Sequence, residues 1–500
     1  MPILGAYCVN IDSARCTSCG TCVKVCPHGV YEADKNGKVQ IVNDMACVGC
    51  RICMDFCPHN ATHIKNAEPE YFTRNLWSYP TVEEIHSKAQ TGEYLMRGFG
   101  TMGPLPGFDQ LVVVPSQLAS PAPKDKYREA CNTEVVIGEG RVSNPIRLKI
   151  PVIIAGMSFG ALSFEAKVAL AIAAATTGTM TNTGEGGVLP EEITLARGYA
   201  DQAAMAAGKR TYEPGGYLVV QWSTGRWGVN LDYLRNADAI EIKFGQGAKP
   251  GMGGHLLGKK VTPEVAKVRG IPVGTDALSP PRHYDMAHPD DLRRQIALLR
   301  DVTDYRVPII LKLGPSRPYK DAKMAAEVGF DAISIDGMVG GTGCSPELVT
   351  QGAGIPTIAC IAPARRGLDD AGVGHDVKLI ALGGIRHGLD AVKAMAMGAD
   401  AVGIGAAAEI ALGCRACMAC HKGTCAYGIA TNDPKLRKRL KPEVGGRQVA
   451  NLLKVMTEEI KILTMLSGHG DIRELSKEDL RALDLNVAAM TGIKLAGQDD

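Results

Sequence analysis

The sequence lacks the charge excess and the long apolar runs that mark two large classes of protein. Its net charge is +2 over 500 residues, and the lysines and arginines are scattered, so we expect neither a nucleic-acid surface nor a charged disordered tail. No run of eighteen or more uncharged apolar residues occurs, and the start, MPILGAYCVN, has no basic segment followed by an apolar one. We therefore expect a soluble, cytoplasmic protein that binds neither nucleic acid nor a membrane.

Cysteine, by contrast, is abundant and closely spaced. Twelve of the 16 cysteines fall into three short runs, and each of the first two has the spacing Cys-x2-Cys-x2-Cys-x3-Cys-Pro. This spacing is typical of bacterial two-cluster ferredoxins, in which three thiolates of one run bind a cluster and the fourth comes from the other run. Zinc is the alternative, since paired Cys-x2-Cys elements also build tetrahedral zinc sites. We predict two [4Fe-4S] clusters, the first bound by Cys16, Cys19, Cys22 and Cys57 and the second by Cys26, Cys47, Cys50 and Cys53.

Some of the other cysteines belong to no motif. Cys8, Cys131 and Cys360 stand apart from the runs, and we expect them to be buried and unreactive. Cysteines that bind clusters must stay reduced, which fits a reducing compartment and argues against a disulfide framework.

Composition divides the chain into four segments. Its 500 residues, 45% of them hydrophobic, suffice for several domains and a large core. Residues 1–67 are predicted to form a two-cluster ferredoxin-like domain. Residues 68–150, rich in proline and glycine with strand-like runs such as LVVV and TEVVIG, form a predicted connector wrapping the next domain. Residues 151–412 are predicted to be a barrel, and residues 413–500 an iron–sulfur loop followed by helices that include VANLLKVMTEEIKILTML.

The barrel prediction rests on short apolar runs that alternate with alanine-rich helical stretches from residue 151 onward. This is the pattern of βα units around a buried parallel sheet, so the predicted fold class is α/β, a (β/α)8 TIM barrel. The runs end in polar or glycine-rich loops, which belong at the carboxyl ends of the strands, where barrel chemistry takes place. The strand candidates are PVIIAG, TMTNTG, YLVVQW, AIEIKFG, VPIILKLG, AISIDG, TIACI, VKLIALGG and AVGIG.

Glycines near the end of the barrel predict a phosphate site. Gly383 and Gly384 follow one predicted strand, and Gly403 and Gly405 lie at the next. Barrels commonly bind phosphate in these loops, because bare backbone N–H groups and a helix N-terminus favour an anion. FMN is the phosphate-bearing cofactor that also exchanges single electrons with clusters. Without the clusters, a metabolic sugar phosphate would be an equal alternative.

Six loops of the predicted barrel, taken together, carry a family resemblance. They resemble the FMN domain of glutamate synthase over roughly residues 90 to 465, and they occur in the same order. The resemblance implies the fold, cofactor and chemistry of that family for most of the chain. The loops are GMSFGALS (156–163), NTGEGG (182–187), KFGQGAKPGMGGHLLGKKV (243–261), LSPPRHYD (278–285), DGMVGGTGCS (336–345) and CHKGTCAYGIAT (420–431).

The resemblance implies three flavin-contacting residues. Lys243 and Gln246 match the pair that contacts the flavin, and Lys312 is a further candidate. A lysine at the N1–C2=O edge of the ring stabilises the anionic reduced form. The alternative for Lys312 is a lysine at the barrel rim with its charged head in solvent.

The resemblance also implies a pocket for 2-oxoglutarate and 2-iminoglutarate. Glu185, Lys249 and Arg269 match its positions, with Lys249 and Glu185 as catalytic residues and Arg269 as the cation that pairs with a substrate carboxylate. Arg269 lies in the charged stretch EVAKVRG, so a solvated surface salt bridge is its alternative role. Two positions depart from the family: Met252 replaces an acid and His255 a glutamine, although His255 retains a donor for a substrate carboxylate.

The third cysteine run matches the trinuclear cluster of the family. Cys414, Cys420 and Cys425 have the family spacing, and three such ligands normally bind a [3Fe-4S] cluster. Cys417 lies between the first two and could supply a fourth thiolate, which would make the cluster [4Fe-4S]. Both alternatives stay open.

The arrangement as a whole resembles the archaeal-type glutamate synthase. No glutaminase nucleophile pattern surrounds Cys8, no glycine-periodic β-helix follows the barrel, and no GxGxxG follows a predicted strand in a βαβ unit, so NAD(P)H is not expected to bind this chain. The resemblance implies that glutaminase and other glutamate synthase subunits are separate chains. Ferredoxin or an NAD(P)H-oxidising subunit is the expected electron donor.

The expected activity is the reductive amination of 2-oxoglutarate to L-glutamate through 2-iminoglutarate. Electrons would pass from the iron–sulfur clusters to FMN, and ammonia would come from a glutaminase subunit or from solution. One alternative is a subunit of the methylamine–glutamate N-methyltransferase type, which shares the barrel loops. Another is a non-catalytic electron-relay subunit, which would have no need of a dicarboxylate pocket.

Overall fold

The core of the molecule is an eight-stranded parallel β-barrel. The computed structural model describes residues 7–67, 78–118, 125, 128–196, 198 and 215–498. Consecutive strands are paired in parallel from the second to the eighth, and the eighth pairs with the first through Val402 and Val152. The Thr179 hydroxyl, just before the second strand, donates to the Val152 carbonyl at 2.7 Å and nearly closes the barrel. The strands are Val152–Ile154, Met180–Asn182, Tyr217–Trp222, Ala239–Lys243, Ile309–Leu313, Ala332–Asp336, Lys378–Leu382 and Ala401–Ile404.

The barrel strands are buried on both faces, as expected for a parallel sheet that helices cover. This confirms the predicted α/β class and the (β/α)8 barrel. One strand candidate was wrong, because TIACI begins the helix Thr357–Asp370. Its buried residues continue at helical spacing through Ile361 and Leu368, and five apolar residues alone do not distinguish a strand from a buried helix.

The longest helix, Pro442–Leu466, contains the predicted VANLLKVMTEEIKILTML and packs on Phe164–Thr177. Glycine permits this close approach, because a Cβ at Gly446 would lie 2.6 Å from Cγ2 of Ile172. No helix in the described ranges has both the length and the apolar character needed to cross a membrane. Within the described ranges, the other α-helices are Thr21–Val25, Ile52–Asp55, Tyr79–Thr91, Pro190–Ala196, Leu231–Arg235, Pro263–Arg269, Pro289–Val302, Pro318–Val328, Glu347–Gly352, Gly388–Ala396, Ala406–Ala411, Pro434–Arg437 and Leu485–Thr491.

Short 3-10 helices occur in all parts of the fold. The one that matters most for the site lies inside the third cysteine run, where the chain turns between two cysteines. These segments are Asp44–Ala46, Phe108–Gln110, Gly258–Lys260, Gly374–Asp376, Cys420–Lys422, Ile472–Glu474 and Lys477–Asp479.

The N-terminal cysteine-rich part is a small unit of two antiparallel strand pairs and the first two short helices. Its core is a few apolar side chains packed against cysteines, with Val30, Tyr31 and Val39 the most buried. So small a core needs additional cross-links, which bound clusters supply. The pairs are Tyr7–Ile11 with Thr62–Asn66 and Tyr31–Ala33 with Val39–Ile41.

The cysteines outside the runs do not all behave as expected. Cys131 and Cys360 are buried, but Cys8 is exposed, so the prediction was wrong for Cys8. Cys8 lies on the strand Tyr7–Ile11, where alternate residues face solvent.

Strands from the segment before the barrel pair with later parts of the chain. The runs LVVV and TEVVIG form the predicted strands at Leu111–Val113 and Val135–Ile137. The first of these pairs with the C-terminal segment, and Met96–Phe99 pairs with a loop strand of the barrel. The antiparallel pairs are Met96–Phe99 with Thr342–Pro346, Leu111–Val113 with Leu480–Ala482, Val135–Ile137 with Ile146–Leu148, and His255–Leu256 with Ala277–Leu278.

Candidate active site and cysteine clusters

The carboxyl ends of the barrel strands open into one large cavity of about 680 Å³. Its lining includes every residue that the sequence assigned to flavin or substrate, and also Cys420 of the third cysteine run. Met252 is among the described residues but does not line this cavity. The predicted site residues in the lining are Glu185, Lys243, Gln246, Lys249, His255, Arg269, Lys312, Gly383, Gly384, Gly403 and Gly405.

The glycines form a bare backbone surface at one end of the cavity. Gly383 and Gly384 have φ values of +97° and +77°, which side chains rarely adopt. A Cβ at Gly383 would lie 2.8 Å from the Gly337 carbonyl, and a Cβ at Gly384 2.7 Å from the Val339 side chain. Gly405 precedes a short helix. Exposed backbone N–H groups at such a position fit the phosphate of FMN.

Two buried lysines lie side by side above the barrel. Lys243 and Lys312 face each other across neighbouring strands. The Lys243 Nζ is 2.9 Å from Oε1 of Gln246, and the Lys312 Nζ is 3.6 Å from a carboxylate oxygen of Asp336. Lys312 is only 5% exposed, so the solvent-facing alternative was wrong. Burial lowers the pKa of Lys243, and the Lys312 charge adds to this while Glu185 opposes it. The pair makes this part of the cavity cationic.

A polar network that the sequence reasoning missed lies beneath these lysines. Glu241 accepts hydrogen bonds from Nδ2 of Asn182 at 2.9 Å and from Nε2 of Gln221 at 2.7 Å. The Gln221 Oε1 is buried without a protein partner, and Gln221 lines the cavity. This acceptor is suited to a donor group on a bound ring. The signal was that Asn182 and Gln221 lie at or next to the last positions of their strands, and that Glu241 is a carboxylate between two isoleucines of its strand.

Glu185 is a buried carboxylate held ionised by its neighbours. Burial raises its pKa, but the Lys243 charge and hydrogen bonds from Ser279 and Ser223 outweigh burial and bring the pKa below its usual value. The Ser279 hydroxyl donates to Oε1, and the Lys243 Nζ is 3.8 Å from Oε2. Glu185 is therefore a fixed negative charge beside the cationic part of the cavity.

Arg269 is buried beside Glu185. Its Nη2 donates to the carbonyls of Phe159 and Glu185 at 3.0 and 3.1 Å, and it is 3% exposed. The surface salt-bridge alternative was therefore wrong. Its Nε is buried without a protein partner, and the residue lines the cavity. Burial lowers the pKa of Arg269 to about 10, against the opposing charge of Glu185, and the side chain remains cationic at neutral pH.

Lys249 is a buried lysine with a strongly lowered pKa. Burial, together with the Lys243 charge, lowers its pKa to about 8. Its Nζ donates one hydrogen bond to the carbonyl of Cys344 at 2.7 Å. An ammonium has two further N–H groups that can donate to other partners. His255 lies in the same wall, and its pKa is lowered by burial and by Lys249. An ammonium with a pKa near neutrality suits proton transfer.

A buried ion pair supports the loops that carry Glu185. Lys167 and Glu192 are each 1% exposed at the side chain, and their charged atoms are 3.0 Å apart. The Lys167 Nζ also donates to the carbonyls of Met157, Asn182 and Thr183 at 2.7, 3.0 and 3.1 Å. The one ammonium therefore holds together the loops after the first and second barrel strands.

We expect Lys167→Met to lower the free energy of unfolding by about 3 to 5 kcal/mol, because it leaves Glu192 as an unpaired buried charge and three carbonyls without their donor. Thermal or denaturant unfolding of the purified protein measures this. The exposed Lys435→Met is the control and should stay within about 0.5 kcal/mol of the unchanged protein. Equal stability of the two variants would show that the buried ion pair contributes nothing.

The N-terminal cysteines lie in two groups, each with three members from one run and one from the other. A small cavity is lined by the first three cysteines of one run together with Cys57 of the other. In the second group, burial raises the pKa of Cys47, and the thiols of Cys53 and Cys26 raise it further. Among the described residues, no three His, Cys, Asp or Glu side chains converge as a single metal ion requires. The cysteines around the small cavity are Cys16, Cys19, Cys22 and Cys57.

The third cysteine run lies between the N-terminal unit and the large cavity. Cys420 lines that cavity, and the Cys414 thiol lies near the thiols of Cys425 and Cys417. Asn432, which the sequence reasoning missed, ties this segment to the barrel by donating to the carbonyls of Gly160 and Lys260, each at 2.9 Å. The sequence alone does not indicate that Asn432 is buried, because its burial depends on the folded chain.

A polar contact holds the N-terminal unit against the third run. Asp55 accepts from Nη2 of Arg415 at 2.8 Å and from the hydroxyl of Tyr427, which also donates to the Cys50 carbonyl at 3.3 Å. The Cys50 thiol is next to that of Cys417: burial raises the pKa of Cys50 to about 12, and Cys417 contributes to the rise. The second cysteine group therefore adjoins the third.

The connector also reaches the cavity. Phe99 lines it, and its backbone has a φ of +73°, which is unusual for a bulky residue. The amide of Gly98 donates to the carbonyl of Met418 at 2.9 Å, and a Cβ at Gly98 would lie 2.5 Å from Cβ of Cys420. Sequence reasoning did not assign these residues, because only the fold brings them to the third run.

Comparisons with known proteins agree with this geometry. The family described as "conserved region in glutamate synthase" matches residues 111–470, and "4Fe-4S dicluster domain" matches residues 8–70. The glutamate synthase large subunit-like protein of Rhizobium meliloti is 43% identical, covering 83% of this chain and 93% of its own length. The archaeal glutamate synthase [NADPH] of Methanocaldococcus jannaschii is 38% identical, with 98% of each chain covered.

Two other similarities are more distant. The glutamate synthase [NADPH] large chain of Bacillus subtilis is 34% identical, but the match spans only 22% of that longer protein and 67% of this chain. Mandelate oxidase with (S)-4-hydroxymandelic acid is 18% identical with a TM-score of 0.47, covering 77% of this chain and 92% of that chain. The second likeness is too weak to support any functional statement.

Proposed function

Because this chain belongs to the glutamate synthase family and is an oxidoreductase, we propose that it is the synthase subunit that converts 2-oxoglutarate to L-glutamate through 2-iminoglutarate. The observation that carries the proposal is one cavity lined by the glycines, Lys249, Arg269 and the cluster cysteine Cys420. An anion site, a dicarboxylate pocket and an electron path therefore meet at one place. The balance is 2-oxoglutarate, ammonium, two electrons and two protons giving L-glutamate and water.

FMN is the cofactor that the cavity fits. Gly383, Gly384, Gly403 and Gly405 would hold its phosphate, while Lys243, Gln246 and Lys312 would hold its ring. When bound, FMN accepts single electrons and delivers a hydride. The buried cations favour a ring that gains negative charge, and the free Gln221 acceptor suits a ring N–H.

The substrate would lie beside the ring, bound by the opposite wall. The Arg269 guanidinium would offer a charge-assisted hydrogen bond to one substrate carboxylate, and His255 would offer a second donor. The Lys249 ammonium would polarise the carbonyl or imine and hand over its proton. The fixed charge of Glu185 would orient the ammonium groups around it.

Electrons would follow the order of the cysteine groups. The second group adjoins the third, and the third adjoins the cavity, so this order leads from the N-terminal unit to the ring site. The first and second groups would each bind a [4Fe-4S] cluster, and the third group would bind the third cluster. Ferredoxin or an NAD(P)H-oxidising subunit would supply the electrons, and the NADPH in the names of relatives fits such a donor. A separate glutaminase subunit or solution would supply ammonia, in a reducing cytoplasm that keeps the thiols free.

The test is anaerobic purification with flavin and iron counted, followed by reduced ferredoxin, 2-oxoglutarate and either glutamine or ammonium. We expect FMN, iron and 2-oxoglutarate-dependent formation of glutamate. Clusters without flavin would contradict the proposal and favour the electron-relay alternative. Supplying methylamine with L-glutamate in a parallel reaction, and looking for N-methylglutamate without net oxidation of ferredoxin, tests the methyltransferase-type alternative.

We expect Arg269→Ala to raise the KM for 2-oxoglutarate about 10- to 100-fold, because a charge-assisted hydrogen bond to the substrate is lost. Steady-state kinetics with varied 2-oxoglutarate measures the change. Arg269→Lys is the matched variant: it keeps the charge but loses the Nε donor, so its KM should fall between those of the other two proteins. An unchanged KM in Arg269→Ala would remove this residue from the substrate pocket.

A further inference from the structure

We propose that Cys417 is the fourth ligand of the third cluster, which makes it a [4Fe-4S] cluster, and that its thiolate faces the second N-terminal cluster. The inference rests on the proposed function only for the presence of a third cluster. Cys414, Cys420 and Cys425 supply ligands for three irons, and the proposal adds Cys417 as the ligand of a fourth.

The backbone repeats in all three cysteine runs. In each Cys-x2-Cys-x2-Cys run, the residue before the middle cysteine and the residue after it both have a positive φ. Ordinary residues avoid this region, and holding one there costs about 1 to 3 kcal/mol. In the third run both residues are non-glycine. The pairs are Ser18 (+55°) and Gly20 (+72°), Gly49 (+68°) and Arg51 (+60°), and Ala416 (+51°) and Met418 (+58°).

The hydrogen bonds to the thiols repeat as well. The amide two residues after the first cysteine donates to its Sγ at 3.4 Å in two of the runs, from Ser18 to Cys16 and from Ala416 to Cys414. Each middle cysteine also has the amide two residues later beside its thiol: Ala419 at Cys417, Thr21 at Cys19 and Ile52 at Cys50. The surroundings of Cys417 thus resemble those of Cys19 and Cys50. Both of these cysteines lie in the segment that matches the 4Fe-4S dicluster domain.

The position of Cys417 also fits a ligand. Its thiol is grouped with those of Cys414 and Cys425, and Cys420 completes the group. On the other side, Cys417 packs into an apolar cluster that includes Cys50 and Ala426. A three-iron cluster here would leave an idle thiolate beside its open corner, where a fourth iron binds. With Cys417 bound, the cubane has a ligand next to a ligand of the second cluster, which shortens the path for one-electron transfer between them.

The experiment compares the unchanged protein, Cys417→Ala and Cys8→Ser after anaerobic purification, using iron analysis and EPR of the oxidised samples. We expect about twelve iron atoms per chain and no three-iron signal in the unchanged protein and in Cys8→Ser. Cys417→Ala should gain a three-iron signal approaching one spin per chain, and incubation with Fe²⁺ should not remove it. Cys8 is exposed and outside the runs, so its variant controls for general cluster damage.

A three-iron signal of about one spin per chain in the unchanged protein, unaltered in Cys417→Ala, would overturn the assignment. Reduced-state signals of the two N-terminal clusters and the flavin content show whether the variant has folded. Neither readout needs turnover of 2-oxoglutarate, so a protein that made no glutamate would contradict the proposed function and leave this assignment standing. A three-iron signal in a protein that does form glutamate would contradict this assignment and leave the proposed function standing.

Discussion

Cys420→Ser should reduce glutamate formation from reduced ferredoxin to background while the protein keeps its flavin. Of the cluster cysteines that the structure describes, Cys420 lines the large cavity, so its cluster is the one that can pass electrons to a ring bound there. Serine ligates iron poorly, and loss of this cluster would separate the N-terminal clusters from the ring. The measurement is anaerobic stopped-flow reduction of the flavin by reduced ferredoxin, followed at the flavin absorbance.

Two controls make this result specific. Chemical reduction with dithionite should still reduce the flavin of Cys420→Ser and restore one round of glutamate formation, because the cavity residues are unchanged. Cys360→Ser replaces a buried thiol outside the clusters and should reduce its flavin at the rate of the unchanged protein. A normal rate of flavin reduction in Cys420→Ser would mean that electrons reach the cavity by another path.

The features that the sequence predicts well are those with local physical requirements. Parallel strands buried on both faces must be continuous apolar runs, which is why eight of the nine candidates lie in barrel strands. Three of the four thiolates predicted for each N-terminal cluster come from one short run, so the cysteine spacing is visible without a fold. TIACI fails because a short apolar run meets the requirements of a strand and of a buried helix equally.

Features that depend on distant loops were not predictable in the same way. Ser279 reaches Glu185 across 94 positions of sequence, and nothing local marks it as a partner. The burial of Arg269 likewise depends on the loop carrying Glu185 packing over the end of its helix, whereas the charged stretch EVAKVRG taken alone indicates a surface. The contact between Cys50 and Cys417 joins two segments that are distant in sequence, and the neighbouring Arg415–Asp55 pair spans 360 positions.

Lys249→Gln should lower kcat for glutamate formation by about 10²- to 10⁴-fold, the range for loss of a general acid or base. Glutamine is one bond shorter than lysine but keeps a hydrogen-bond donor, and it cannot hold a transferable proton. Flavin content and flavin reduction by the clusters should be unchanged, because Lys249 belongs to the substrate wall. Steady-state kinetics measures kcat, and single-turnover reoxidation of the reduced flavin by 2-oxoglutarate and ammonium locates the lost step.

The pH profile tests the same role independently. With a pKa of about 8, lowered from the usual lysine value by burial and by Lys243, Lys249 is protonated below about pH 8 and neutral above it. If its proton is used, kcat/KM should fall tenfold per pH unit above that value, in the unchanged protein and in the exposed-lysine control Lys435→Gln, and this fall should be missing in Lys249→Gln. A profile that rises through pH 8 would mean that the neutral amine is the active form. Lys249 would then act as a base, and the proton delivered to the substrate would have to come from another group in the cavity wall. His255 lines the cavity and is a candidate for that group.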